Sequence, residues 1–264
     1  MLDNQKCEAA PGLNGVCRGC ENRVLAKCGT QRVWHWAHVG KITCNFEREP
    51  ETEWHRNWKN QYAAECREII CRAENGEKHI ADVMTEHGLV IEFQHSPLQP
   101  DERVSRESFH PNMVWVVDGT RLKRTWNKFL QGKQSWRSTH WQGYSLTHFP
   151  QESFPIEWLA SNVPVFFDFS GLPETDEKQS LIQKTLWLLL PGRAEGRAVI
   201  LAVSRQSFLD VTRRKSQIID TKKILKEMAD LLALQRELEY RQFHYQPPSY
   251  RGRKRFIRRR TPLF

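Results

Sequence analysis

The chain has 264 residues and contains no run of apolar residues long enough to cross a membrane. Residues 182–190 are mostly apolar, but they include Gln183 and Lys184, and a spanning helix needs about 20 apolar residues. The N-terminus also lacks the basic stretch followed by an apolar stretch that marks a secretory signal peptide. These absences predict a cytoplasmic protein with no membrane partner.

Outside one C-terminal segment, the chain has little net charge. The formal net charge is +9, but seven basic residues lie within 251–260, so the remaining residues together carry only +2. A block of like charges repels itself and attracts polyanions, and neutralising phosphates gives sequence-independent affinity for nucleic acid. The alternative is a solvated tail without a dedicated partner. The residues predicted to bind nucleic acid here are Arg251, Arg253, Lys254, Arg255, Arg258, Arg259 and Arg260.

Five of the seven cysteines fall within the first 44 residues. Without a secretion signal, metal binding or free thiols are favoured over disulfides. The Cys17-x-x-Cys20 pair followed by a second Cys/His cluster predicts a tetrahedral zinc site. Four protein ligands leave no open position for a substrate, so this Zn²⁺ would be structural. The ligands chosen are Cys17, Cys20, His38 and Cys44, with Cys28 and His35 as alternatives that spacing does not separate.

The central segment predicts helices alternating with strands. Apolar residues at helical spacing after Pro50 predict a helix over 50–72. Two strands joined by a turn at Glu86-His87-Gly88 follow, then a helix over 100–109 and a buried strand over 113–119. This order describes a mixed sheet flanked by helices.

The two paired strands carry a candidate metal site. Side chains alternate along a strand, so Glu92 and Gln94 share one face while Ile91 and Phe93 take the other. The hairpin would fold Asp82 back beside them. Two carboxylates and an amide around one point suit a hard divalent cation and a phosphate. The alternative is that these acids are ordinary exposed or structural residues.

These residues resemble the restriction-endonuclease-like nuclease superfamily and, within it, the competence protein CoiA-like family. The resemblance covers about residues 10–120. It implies an α/β (α+β) fold, a restriction-endonuclease-like mixed sheet flanked by helices, with a small N-terminal zinc-binding module. The residues that carry it are Glu53 in a helix, Asp82 in a strand, Glu92-Phe93-Gln94 in the next strand, the His35-Trp36-Ala37-His38 element, and Ser96-Pro97 before an arginine-bearing helix.

The resemblance also implies roles for individual residues. Asp82 and Glu92 would bind catalytic Mg²⁺ or Mn²⁺, and Glu53 would complete or support the site. Gln94 stands where most of the superfamily has lysine. Because glutamine cannot ionise, it can position water or phosphate but adds no positive charge, and the general base stays unassigned.

Three further cations are candidate phosphate contacts. Lys59 lies one turn from His55, and the pair could form a solvated face or meet a phosphate. Arg103 and Arg106 lie one turn apart and could steady a phosphate that develops charge. The alternative for both arginines is surface ion pairing with neighbouring acids.

The C-terminal half is described more coarsely. Residues 120–150 interleave aromatic and basic side chains, which suits either base stacking on single-stranded nucleic acid or an aromatic core with solvated basic edges. Strands are predicted over 163–169, 185–190 and 198–203. A helix over 216–243 would dock on the core or pair with a partner helix, including one from a second copy. The predicted domains are 1–48 (zinc module), 49–210 (nuclease core) and 211–264 (amphipathic helix and basic tail).

We therefore predict a divalent-metal-dependent nuclease that hydrolyses phosphodiester bonds in DNA, in a setting of DNA uptake, recombination or defence. The first alternative is a non-catalytic DNA-binding accessory protein with a vestigial metal site. The second is a zinc-finger regulator whose central acids are structural.

Overall fold

The computed structural model describes residues 7–17, 20–40, 52–73, 78–172 and 177–244. Its N-terminal part is a three-stranded antiparallel sheet in the order β1-β2-β3. The strands are β1 (Asn14–Val16), β2 (Arg23–Lys27) and β3 (His35–His38).

The rest of the described chain builds one nine-stranded sheet, in the order β4-β5-β6-β7-β10-β11-β12-β9-β8. Its central strands β6, β7 and β10 run parallel and the other neighbours are antiparallel, so the sheet is mixed. The strands are β4 (Arg67–Arg72), β5 (Lys78–Met84), β6 (Val90–Gln94), β7 (Met113–Asp118), β8 (Arg137–Ser138), β9 (Tyr144–Thr147), β10 (Val165–Asp168), β11 (Thr185–Leu189) and β12 (Ala198–Ser204). The helices are α1 (Glu53–Lys59), α2 (Pro100–Phe109), α3 (Lys123–Lys133), α4 (Glu177–Lys184), α5 (Arg205–Arg214) and α6 (Thr221–His244).

Helices cover both faces of the large sheet, which confirms the predicted α/β class. On the first face, α1, α5 and α6 bury Trp58, Phe208 and Met228 against strand residues such as Phe93. On the second face, α3 packs against the strands and α2 contacts β7. A central strand that is buried on both sides has a continuous run of apolar residues, as β7 has before Asp118.

The helix predicted over 50–72 is wrong for most of its length. Helix α1 ends at Lys59, and residues 67–72 form β4, which pairs with β5. The apolar residues at helical spacing do contribute to packing, since Trp58 and Tyr62 join the core of the first face. Ile69 and Ile70 are β-branched and suit a strand, and pairing with β5 decides their conformation. Periodicity alone did not mark the change from helix to strand.

Several other elements match the prediction closely. Helix α2 covers the predicted residues, and strand β7 ends one residue before the predicted Gly119. Strands β11 and β12 are joined by the predicted turn, where Gly192 and Gly196 have positive φ values of 89° and 75°. Helix α6 begins at Thr221, five residues later than predicted.

The described residues include no helix that combines the length and the apolar composition needed to cross a membrane.

Candidate acidic site and metal module

The hairpin of β5 and β6 brings Asp82 and Glu92 together, as predicted. The strands pair regularly at Val83–Ile91 and Met84–Val90. At the next position the Asp82 N–H donates to Glu92 Oε1 at 3.3 Å, and the Phe93 N–H donates to Asp82 Oδ2 at 3.0 Å. The two carboxylates therefore accept hydrogen bonds from backbone N–H groups at the point where the regular pairing of β5 with β6 ends. Both residues are buried, with 9% of Asp82 and 2% of Glu92 exposed.

An irregularity in β4 and β5 places Asp82 at this opening. Ala81 packs on the second face of the sheet and Val83 on the first, although alternation would put both on one face. The register of β4 pairs Arg67 with Val83 and Ile69 with Ala81, and Glu68 between them has a φ of 54°. A positive φ is uncommon for a residue with a Cβ atom and marks local strain. Strict alternation is thus broken beside the candidate site.

The helix residue that contacts Asp82 is His55. The N-cap Thr52 accepts a hydrogen bond from the His55 N–H at 3.2 Å, which fixes the first turn of α1. His55 Nε2 lies 3.0 Å from Asp82 Oδ2, yet the approach does not have hydrogen-bond geometry, so Nε2 is a buried polar atom without a hydrogen bond. Glu53, the predicted helix acid, is exposed. In the sequence, His55 stands out only as a neighbour of Lys59, one helical turn away.

Arg106 of α2 reaches Glu92 from the second face. Its Nη1 donates to Glu92 Oε2 at 3.2 Å, and its Nη2 pairs with Glu102. Burial lowers the pKa of Arg106, but Glu92, Glu102 and Asp82 more than offset this, so its pKa is raised. The buried Glu92 carboxylate is therefore paired with a fully charged guanidinium. Arg106 thus lies in the acidic site, in contact with one of its two carboxylates.

Gln94 lies on the same side of β6 as Glu92 and is buried. Its Nε2 donates to the Ser96 carbonyl at 2.9 Å. That bond fixes the plane of the amide, so Gln94 is held as an oriented dipole. The structure thus brings Asp82 and Glu92 together, and Gln94 follows Glu92 on the same side of β6.

The other predicted nucleic-acid contacts lie elsewhere. Lys59 is buried and its Nζ lies 3.0 Å from Glu68 Oε1. Arg103 is 5% exposed, and its Nη1 donates to Glu107 Oε1 at 2.7 Å. Each cation is paired with a carboxylate, buried Glu107 for Arg103 and partly exposed Glu68 for Lys59, and the pairing offsets part of the cost of burying the charge. The basic residues at 251–260 lie outside the described residues.

A second carboxylate cluster marks the carboxyl ends of the parallel strands. Asp118 and Asp168 are paired in register on β7 and β10. The Asp118 carboxylate lies 2.7 Å from His95 Nδ1 and accepts from Thr120. The Asp168 carboxylate ties α1 and α5 to β10, as described below. Neither aspartate stands out in the sequence, because His95 lies 23 residues from Asp118 and Trp54 lies 114 residues from Asp168.

The N-terminal sheet gathers three of the four predicted zinc ligands. Hairpin β1–β2 turns through Cys17 and Cys20, and β3 brings His38 beside them through the pairing of His38 with Val24. Their ligand atoms all lie within 4.8 Å of one another, and Cys20 Sγ is 3.3 Å from His38 Nε2. Tetrahedral zinc, with bonds of about 2.3 Å to sulfur and 2.0 Å to nitrogen, would separate these atoms by about 3.5 Å. The three residues therefore fit zinc.

The structure also bears on the alternative ligands. His35 lies at the far end of β3, where it pairs with Lys27, and its Nδ1 is hydrogen-bonded to the Val33 carbonyl at 2.9 Å. Cys28 follows Lys27 and is not in the three-ligand group. Cys44 lies outside the described residues. Among the residues described, the acidic hairpin gathers no such group of three His, Cys, Asp or Glu ligand atoms within 4.8 Å.

Comparison with known proteins points to one family. Residues 12–47 match the family model of the competence protein CoiA N-terminal domain. The chain is also similar to "Competence protein CoiA" from Bacillus subtilis (strain 168), with 29% identity over 156 residues. This match covers 54% of the chain but only 40% of the relative. No solved structure gives a significant match.

The family match covers the three-stranded sheet and the group formed by Cys17, Cys20 and His38. These findings support the CoiA resemblance seen in the sequence.

Proposed function

We propose that this protein is a divalent-cation-dependent nuclease that hydrolyses phosphodiester bonds in DNA and has a restriction-endonuclease-like core. The observation that carries the proposal is the pair of buried carboxylates, Asp82 and Glu92, at the opening between β5 and β6, with His55 Nε2 3.0 Å from Asp82. A buried carboxylate is costly unless it is paired or bound to a metal. Arg106 pairs with Glu92, and a divalent cation held between the two carboxylates would offset the remaining cost of burying them.

The donor set suits Mg²⁺ or Mn²⁺. These ions prefer oxygen ligands, often take one or two carboxylates from the protein, and complete their coordination with water and substrate phosphate. Asp82 and Glu92 would hold the ion. When bound, such an ion polarises the phosphoryl group and lowers the pKa of bound water.

The remaining residues have supporting roles in this proposal. His55, with an unsatisfied Nε2 beside Asp82, would orient that carboxylate or join the coordination. Gln94 would orient water or the scissile phosphate through its fixed amide. Arg106 would position Glu92 and draw the phosphate towards the acidic pair. Glu53, being exposed, would act at most on the approaching substrate.

Two further observations support this assignment. The order α1-β4-β5-β6-α2-β7 keeps the sequence of elements on which the family resemblance rests, with β4 added. The similarity to a competence protein supports a setting of DNA uptake or recombination, with DNA as the substrate. We also propose that Cys17, Cys20 and His38, with Cys44 as the fourth ligand, hold a structural Zn²⁺.

A cleavage assay tests the nuclease proposal. Labelled single- and double-stranded DNA is incubated with the full chain and Mg²⁺ or Mn²⁺, next to the variants Asp82→Asn and Glu92→Gln. Both substitutions keep the side-chain shape and remove the negative charge, so each should lower the rate at least about 100-fold. The control is Glu102→Gln, which removes the exposed partner of Arg106 and should retain most activity. Cleavage that survives both site substitutions would refute the proposed site.

One observation favours a second candidate, a non-catalytic DNA-binding accessory protein. Arg106 pairs with Glu92 and offsets part of its charge, so this carboxylate has a cationic partner within the protein. DNA binding without any cleavage, under conditions where the protein is folded, would support this candidate.

A further inference from the structure

Residues 119–151 contain no aspartate or glutamate. The segment holds six lysine and arginine residues, and it includes helix α3. Two interpretations of this segment were open: base stacking on single-stranded nucleic acid, or an aromatic core with solvated basic edges. Which of them holds depends on which side chains face outward.

The structure separates the aromatic from the basic side chains. On α3, Trp126 and Phe129 are buried against the second face of the sheet. Gly132 allows α3 to lie close to the backbone of Glu152, because a Cβ atom at position 132 would be only 2.5 Å from the Glu152 carbonyl oxygen. Trp136 also packs against this core, and Lys133 lies over the Trp136 ring at 5.7 Å. The rings that might have stacked on bases are thus part of the core.

The opposite side of α3 is cationic and exposed. Arg124 and Lys128 are one turn apart, so they lie next to each other on the outer face. Arg121 and Lys123, at the start of the helix, are also exposed. We call these four residues the α3 cationic face.

The charge of this face is not compensated nearby. Within the described part of the chain, none of its four residues takes part in an ion pair. Three of the five basic residues on α6 do have acidic partners, one turn away or on a nearby loop. Those pairs are Lys223–Glu227, Arg236–Glu195 and Arg241–Glu237.

The α3 cationic face begins after the carboxyl end of β7, the strand next to β6, which carries Glu92 and Gln94. Val117 of β7 is paired in parallel register with Gln94 of β6, and α3 starts five residues after β7 ends. The first turn of α3 has neither an acidic residue nor a side-chain cap. The positive end of the α3 helix dipole adds to the positive potential there.

We propose that the α3 cationic face binds the sugar-phosphate backbone of nucleic acid and leads it towards the acidic site. The choice of nucleic acid as the polyanion rests on the proposed function. Because the aromatic rings are buried, this surface contacts phosphates and does not stack on bases. Its affinity should therefore depend on salt and not on base sequence.

Fluorescence anisotropy with a labelled DNA duplex tests this proposal, using the full chain without added Mg²⁺ so that no cleavage occurs. The test variant is Arg121→Gln/Arg124→Gln/Lys128→Gln. The matched control is Lys223→Gln/Arg236→Gln/Arg241→Gln, which makes the same change in charge on α6. Thermal unfolding of each variant confirms that it is folded, and the basic tail is common to all.

Each phosphate contact contributes about 0.9 to the slope of log K against log salt, so losing three should reduce the slope by up to about 2.7. We expect the test variant to bind at least about tenfold more weakly than wild type at 0.1 M salt, and the control to change less than twofold. An oligonucleotide that keeps the backbone but lacks bases should compete as well as an ordinary single strand. Equal losses in both variants, or failure of the abasic competitor, would overturn the proposal. Binding is measured apart from cleavage, so the nuclease proposal can fail while this one stands.

Discussion

Replacing Asp168 with alanine should destabilise the protein and disturb the candidate site from a distance. Asp168 is 1% exposed, at the end of β10. Its Oδ2 accepts hydrogen bonds from Trp54 Nε1 at 2.9 Å, Trp58 Nε1 at 2.8 Å and Arg205 Nη2 at 2.8 Å. One carboxylate oxygen therefore ties α1 and α5 to the sheet, and α1 carries His55 against Asp82.

The size of the effect follows from the burial of the three donors. Trp58 is fully buried, so its unpaired N–H would cost the full penalty of about 1–3 kcal/mol. Trp54 is only partly buried and would lose about 1 kcal/mol. The Arg205 side chain is 38% exposed and can be hydrated, so losing its ion pair adds at most about 1 kcal/mol. The loss in free energy of unfolding is therefore about 2–5 kcal/mol, which lowers Tm by about 4–10 °C in a protein of this size.

Thermal unfolding followed by circular dichroism measures this change. Asp210→Ala is the matched control, because Asp210 lies on α5 and bonds only the exposed Gln206 among the described residues. The control should shift Tm by less than about 2 °C. A Tm for Asp168→Ala within 2 °C of wild type would show that the carboxylate does not hold α1 as described. Cleavage by the variant should fall at temperatures where it is still folded, because His55 loses its support.

Two further predictions concern the metal module and pH. Cys17→Ser should abolish the zinc measured in the purified protein, whereas Cys28→Ser should retain it; loss of zinc in both would show that the ligand set is wrong. Burial lowers the pKa of His110 to about 4, with His79 and Arg106 adding to the shift, so the folded state favours the neutral ring. In the unfolded chain His110 is protonated below about pH 6.5, whereas in the folded protein its ring stays neutral until about pH 4. The free energy of unfolding therefore decreases as the pH falls from 6.5 towards 4. Between pH 7 and 4.5, urea unfolding should show wild type losing about 2 kcal/mol more than His110→Gln; equal losses would contradict this.

The sequence by itself determined the local elements around the acidic pair. Alternating side chains and the Gly88 turn were enough to predict the β5–β6 hairpin, because a hairpin joins residues that are close in the chain. Pro100 and the acids after it likewise marked the start of α2. The Cys17-x-x-Cys20 pair and His38 were predicted as a group, since the knuckle spacing and the second Cys/His cluster already indicate a metal site.

Tertiary structure decided which charged residues share a neighbourhood. Lys and Arg side chains usually lie on the surface, but Lys59 and Arg103 are both buried. Glu107, four residues from Arg103, was among the neighbouring acids expected to pair with it, whereas the pairing of Lys59 with Glu68 was not predicted. The strand at 67–72 continued an apolar helical pattern, and only pairing with β5 made it a strand. His55 meets Asp82 because α1 packs on the first face of the sheet.

The physical reason is the range of the interactions. Helix caps, turns and strand alternation depend on residues within a few positions, so a single sequence displays them. The bond from Trp54 to Asp168 joins residues 114 positions apart, and burial sets its strength. Which polar groups meet inside the protein depends on how the helices pack on the sheet, and only the folded structure determines that packing.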